Sequence, residues 1–309
     1  MIRKTKMILS VLIMGALMIT SSACGEVSVE TVATTETTNT TTTAATESVE
    51  EGNETTTGVQ EESALSGNLT LTGSTSMSDV STALAEAFMI KNPDVTVSVG
   101  GNGSGEGPTA VNDGTAQIGM LSRQLKDSEE PTKFDQHIIG YDGIAVIVNA
   151  ASGVSDLTPE QVKDIFTGKI TNWSELGGED AIIQCIGREA ASGTRGAFEE
   201  LIDIEDAAIY AEEQNSTGNV KQAVSGNPNA IGYISLSAVD ETVKAVSLSS
   251  VTPSEATVKS GEYMLQRPFL MIAKSQTTDA LTQAFLDFVY SDEGQTIIAD
   301  DGIVPNPNK

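Results

Sequence analysis

Four short turns rich in glycine, serine and threonine hold most of the side chains able to grip a ligand: Gly73-Ser74-Thr75-Ser76, the glycine-rich stretch 101–107, Ser122-Arg123, and Ser192-Gly193-Thr194-Arg195. The first two follow strand-like runs and open helical patterns, and the last precedes the helical spacing of Phe198, Leu201 and Ile202. Hydroxyls and free backbone N–H groups therefore gather at three predicted helix starts. A helix N-terminus offers unsatisfied N–H donors and a partial positive charge, which together suit an anion. Singly, each turn is only a capped helix start. The four together, with Arg188 just ahead of the last, point to an oxyanion site, because one guanidinium meets two oxygens of such an anion at once.

Other chemistries fit less well. The stretch 101–107 lacks the Lys-Ser/Thr ending of a nucleotide P-loop and the spacing of a dinucleotide fingerprint. Ser192 as an esterase nucleophile would sit in Ala-Ala-Ser-Gly-Thr instead of Gly-x-Ser-x-Gly. Its base would have to be His137, the single histidine, and a lone histidine among apolar and loop residues reads as structural. No cluster has the spacing of a zinc or iron site, so no metal or other cofactor is expected. The expectation is a binding module without catalytic chemistry.

The elements that must position these turns alternate. Leu69 to Thr72 reads as a strand; Met77, Val80, Leu84 and Phe88 follow at helical spacing, and Val95 to Val99 is a second strand. Further strands are expected at Gln117 to Leu121, Gly143 to Val148, Ile182 to Ile186, Ala230 to Ile234 and Phe269 to Ala273. Helices are expected at Glu160 to Phe166, Gly196 to Ile202, Val220 to Val224 and Leu281 to Tyr290. The first of these opens on Thr158, Pro159 and Gln161, a capping box with proline in the first turn. Strand and helix in alternation give an α/β fold.

Ahead of these elements, Arg3, Lys4 and Lys6 precede an apolar run from Met7 to Ile19 that ends in Ser21-Ser22-Ala23-Cys24, the pattern of a signal peptide. The run is shorter than the ~20 residues of a membrane-spanning helix. Small residues before Cys24, with Gly25 after it, resemble a bacterial lipobox, although Ser21 stands where leucine is usual. Cys24 is thus expected to carry the lipid, leaving Cys185 as a buried small hydrophobe. Between residues 26 and 66 lie nine glutamates, many threonines and no lysine or arginine. Such a segment buries too little surface to offset chain entropy and reads as a disordered tether. With 43 acids against 17 bases overall, the chain is too acidic to suit nucleic acid or an anionic surface. An anion site survives this, since charges beyond a Debye length of about 8 Å are screened from it.

The ordered set Gly73-Ser74-Thr75, Gly103-Ser104-Gly105, Ile118 to Arg123, Asp142 to Asn149, Ile165 to Trp173, Arg188-Glu189 with Ser192 to Arg195, Ala230 to Tyr233 and Gly302 to Pro305 resembles the phosphate-binding proteins of Pst-type ABC importers, in their Gram-positive lipoprotein branch. The resemblance spans essentially the whole folded part. It implies a two-lobed periplasmic-binding-protein fold of type II with the ligand in the inter-lobe cleft. Residues 1–23 would be the signal peptide, 24–66 the lipidated tether, 67–143 with 263–309 lobe I, and 144–262 lobe II. By the same resemblance Thr75 gives hydroxyl and N–H, Ser76 its N–H, and Ser104 its hydroxyl, while Ser122 replaces an aspartate of Gram-negative relatives. Arg188 supplies the charged contact, and Ser192, Gly193 and Thr194 the remaining donors. Ala190 and Ala191 stand where many relatives have an acid and a glycine, so the acid that would orient Arg188 is either missing or replaced by Glu189. With Ser122 lacking a carboxylate, the ligand's proton must be accepted by a hydroxyl, a backbone carbonyl or a carboxylate from elsewhere, for which Asp142 is the first candidate and Glu189 the second. The implied role is to capture inorganic phosphate at the outer face of the cytoplasmic membrane for an ABC permease. Sulfate, molybdate or tungstate binding, a surface phosphohydrolase and a non-transport lipoprotein are the alternatives.

Overall fold

The computed structural model describes residues 65–309 apart from 206, 278, 307 and 309; the expected leader, Cys24 and nearly all of the tether lie outside the described residues. The chain runs β1 (Gly67–Gly73), α1 (Ser78–Lys91), β2 (Val95–Gly101), α2 (Glu106–Asp113), β3 (Ile118–Leu121), β4 (Phe134–Asn149), β5 (Asp156–Leu157), α3 (Pro159–Phe166), β6 (Gln184–Arg188), α4 (Gly193–Leu201) and β7 (Glu212–Gln214). It continues through α5 (Thr217–Gly226), β8 (Ala230–Ser235), β9 (Val243–Ala245), β10 (Ser247–Leu248), α6 (Glu255–Lys259), β11 (Gln266–Lys274), α7 (Ala280–Val289), α8 (Asp292–Asp300) and β12 (Val304–Pro305).

Two sheets share the long strand β4. Its first half pairs antiparallel with β11, which borders β3; β3, β1 and β2 are then parallel. Its second half pairs with β8 and β9, and the parallel strands β6 and β7 extend beyond β8. Residues Ile144 to Val148 are fully buried without alternation, as a strand covered on both faces must be. One apolar core gathers Leu69, Leu71, Leu84, Phe88, Met120, Phe269 and Phe285 around the first sheet. A second gathers Ile144, Val146, Phe166, Trp173, Phe198, Ile231 and Tyr233 around the other. The result is a two-lobed mixed α/β molecule.

The strands and helices expected from the sequence are present, with shifted ends. The strand expected at Ile182 begins at Gln184, and Ile182 is 66% exposed, bridging back to Asn172 instead. The strand expected from Gly143 starts at Phe134, because the polar residues of Phe134 to Asp142 conceal a strand that runs between β11 and β12. Helix α8, Asp-Glu-Gly-Gln-Thr-Ile-Ile-Ala-Asp, has too few apolar residues to announce itself and rests on α1 and α7.

Candidate functional site

Strands β1 and β3 lie side by side and end together, which brings the turns after them into contact. Gly73, at φ 138°, makes the turn after β1; a side chain there would run into the carbonyl of Met120, to which Ser74 N–H donates at 2.8 Å. Ser74 then caps the start of the next helix: its Oγ accepts from Ser76 N–H at 3.2 Å and donates to Ser122 Oγ at 2.9 Å. Ser104, in the turn before α2, accepts from Ser122 N–H at 3.0 Å and lies 3.3 Å from its Oγ. Ser104 and Ser122 are fully buried.

The second lobe closes on these hydroxyls. Arg188 ends β6, 1% exposed, and donates from Nε and Nη2 to the two carboxylate oxygens of Glu189 at 2.9 and 2.8 Å. Glu189 therefore does orient Arg188. Ser192 caps α4 by accepting from Arg195 N–H at 3.2 Å. Gly193 packs on Ser104 and Ser122, Thr194 Oγ1 is hydrogen-bonded to Ser76 Oγ at 2.8 Å, and Gly105 N–H donates to the carbonyl of Ala191 at 3.0 Å. Thr75, Ser76, Ser104, Ser122, Arg188, Ser192, Gly193 and Thr194 thus meet along one seam, drawn from three helix starts and two strand ends.

Asp142 lies one residue behind that seam. Its Oδ2 accepts from Nε and Nη2 of Arg267 at 3.1 and 2.9 Å, and Arg267 Nη1 donates to the carbonyl of Ser122 at 3.3 Å. Asp142 Oδ1 is buried near Ser235 and the backbone of Ser237, neither of which meets it in full hydrogen-bond geometry. Burial pushes the Asp142 carboxyl above its ordinary value, against the pull of Arg267.

Three members of the seam were not read from the sequence. Thr217, the first residue of α5, joins both lobes: its Oγ1 is 3.0 Å from Ser76 Oγ and 3.3 Å from Thr75 Oγ1, and accepts from Arg188 Nη1 at 3.3 Å. Ser216 caps α5 as Ser192 caps α4, so a Ser-Thr-Gly turn before a helical pattern was the signal available. Ser74 is legible in the sequence only as part of its turn. Arg267 carried no signal, since its neighbours in space come from distant strands.

Arg195 supports the site from behind. Its Nη1 donates to the carbonyl of Arg188 at 2.8 Å, its Nε to Glu199 at 2.8 Å, and its guanidinium lies over the Tyr210 ring at 4.9 Å. Arg188 N–H donates to Tyr233 Oη at 3.3 Å, so both backbone polar groups of Arg188 are held. Cys185 is 7% exposed and burial pushes its thiol up to about 12, which leaves it inert at neutral pH. Among the described residues no group of three His, Cys, Asp or Glu side chains is arranged for a metal ion. A cavity of about 540 Å³ opens beside Thr75, Ser76 and Thr217 and extends to the Lys221–Asp240 ion pair.

Two lobes joined by shared strands, with buried hydroxyls and helix N-termini converging between them, define an extracytoplasmic-type solute-binding protein, and a family model described as a PBP superfamily domain matches residues 31–293. The phosphate-binding protein PstS of Bacillus subtilis (strain 168) is 36% identical over 238 residues, 75% of this chain and 78% of that protein, and PstS of Pseudomonas aeruginosa is 32% identical over 267 residues, 76% and 82%. A phosphate ABC transporter substrate-binding protein from Clostridium perfringens, solved with bound phosphate, matches at TM-score 0.75 and 42% identity, covering 78% of this chain and all of that one. An ABC-type phosphate transport receptor from Vibrio cholerae matches at 0.66 and 36%, covering 77% and 100%. The chain belongs to the phosphate-binding protein family of the PBP superfamily.

Proposed function

We propose that this protein captures inorganic phosphate in the inter-lobe seam and delivers it to an ABC importer. The observation that carries the reading is the convergence of buried hydroxyls, helix N-termini and the Arg188 guanidinium on one place, with Glu189 fixing the guanidinium. Thr75, Ser76, Ser104, Ser122, Arg188, Ser192, Gly193 and Thr194 are the proposed contacts. Lobe I comprises 67–143 with 263–309, and lobe II 144–262. Two apolar cores and the shared strand β4 support a division into two lobes, with Tyr263, Leu265 and Val304 of the C-terminal stretch packing in the second core. The names of the relatives support the ligand and the transporter, and they are binding proteins, which favours capture over hydrolysis.

Calorimetric titration at neutral pH with phosphate and with sulfate tests the reading. Phosphate carries a proton there and sulfate none. A site that hydrogen-bonds a ligand's O–H discriminates by about 10⁴ or more against an analogue without it. Phosphate binding with sulfate at least a hundredfold weaker is expected; comparable affinities reassign the site to oxyanions in general. Cys24, lipidated, would hold the protein at the outer face of the cytoplasmic membrane, with residues 26–66 as spacer. No helix among the described residues is long and apolar enough to cross a membrane. Cys24→Ala is expected to release the protein to the medium, and unchanged membrane fractionation of that variant removes the anchor.

A further inference from the structure

Two buried arginines, not one, border the hydroxyl seam. Arg267 is 3% exposed and abuts Ser122 from the β11 side; Arg188 is 1% exposed and abuts Thr217 from the β6 side. A guanidinium has five N–H donors and no acceptor. In each arginine, Nε and one Nη2 hydrogen go to a carboxylate and one Nη1 hydrogen to the seam, so N–H groups on Nη1 and Nη2 of both remain without an acceptor among the described residues. Buried donors left unmade cost free energy. Burial weakens the hold of Arg267 on its proton, the Asp142 carboxylate opposes this, and Arg188 stands close enough to add a smaller push in the direction of burial. Each guanidinium is already paired with a carboxylate, so an anion placed between the two would supply the acceptor that their remaining N–H groups lack and offset their mutual repulsion.

We propose that Arg267 is a second guanidinium contact for the bound anion, and that Asp142 is its positioning residue. The Asp142 carboxylate spans from β4 to β11 to fix the Arg267 fork, much as Glu189 fixes that of Arg188. The pairing of β4 with β11, which sets Asp142 opposite Arg267 just before β4 passes into the second sheet, thereby becomes part of the binding site. The inference rests on the phosphate reading and adds a contact to it.

The test is calorimetric titration of inorganic phosphate into wild type, Arg267→Gln, and the double variant Asp142→Leu/Arg267→Met, with Tm measured for each with and without phosphate. The double variant removes both charges together, and apolar replacement of a whole buried ion pair is often neutral or stabilising, so it keeps the question open if Arg267→Gln fails to fold. Affinity at least tenfold below wild type is expected in a folded variant, with a smaller phosphate-induced rise in Tm. A merely structural ion pair would leave the phosphate-induced rise unchanged, whatever its loss does to the Tm without phosphate. A folded double variant that titrates within twofold of wild type overturns the inference alone. Wild type that does not titrate phosphate overturns the phosphate reading and this inference with it.

Discussion

Arg188 is the residue on which capture depends most, because its buried guanidinium reaches a seam hydroxyl, that of Thr217, and its own geometry is fixed on three sides. Glu189 holds the guanidinium, Tyr233 its N–H, and Arg195 its carbonyl. Truncating one partner of a buried, hydrogen-bonded charge pair costs about 2 to 5 kcal/mol. Arg188→Ala is therefore expected to weaken phosphate binding at least tenfold in calorimetry. Arg188→Lys should recover little, since an ammonium cannot reproduce a two-pronged contact. Affinity of Arg188→Ala within twofold of wild type would move the principal contact elsewhere. At this scale the sequence was readable where chemistry is local: a hydroxyl in a turn before a helix announces itself, and the members of all four turns meet in the structure. Thr217 is signalled only by the Ser216 cap ahead of Val220, whereas Arg267 has no local signal, because only the pairing of β4 with β11 brings it to Ser122.

The elements matter through the ends they present. Helix α4 starts against the turn before α2, and Gly193 is the point of closest approach. A β-carbon on Gly193 would collide with Ser104 Oγ and come within 2.7 Å of Ser122 Oγ and 2.8 Å of Ser104 Cβ. Rotating Ser104 cannot relieve the last contact, so the lobes would have to part. Within α4 itself alanine is the better helix former by roughly 0.5 to 1 kcal/mol. Gly193→Ala is thus expected to leave the Tm without phosphate unchanged or raised while phosphate affinity falls tenfold or more. Unaltered affinity would show that the lobes need not approach this closely. Helix α3 illustrates what periodicity and caps can specify: Thr158, Pro159 and Gln161 form the capping box they imply, with Gln161 N–H donating to Thr158 Oγ1 at 3.1 Å. The first half of β4 and all of α8 illustrate what they cannot. Both are polar segments whose place is decided by neighbours far along the chain, where tertiary contact overrides local preference.

For the whole molecule, an anion-binding protein of net charge −26 must keep its own carboxylates from opposing both its ligand and its fold. Most are exposed, but Asp301 is not. It ends α8, where the helix dipole already disfavours a negative charge, and it lies half-buried near Asp79 and Asp142. Burial first, then these two carboxylates, push its pKa up to about 6. The folded chain therefore holds the Asp301 proton more tightly than the unfolded chain does. That contribution is fully present below the ordinary value of 3.8 and is lost as pH rises through about 6. The alternation of elements was legible in the sequence and the two lobes were implied by the family resemblance, but this crowding was not, because Asp79, Asp142 and Asp301 are brought together only by the folding of three separate segments. Asp301→Asn removes the titrating charge while keeping the side chain's shape. The variant is expected to melt above wild type at about pH 8, with the difference shrinking steadily toward about pH 4, where the wild-type carboxyl regains its proton. Thermal melts of both proteins across that range measure the difference directly, and a Tm gap that stays constant with pH would show that Asp301 does not titrate in the folded state.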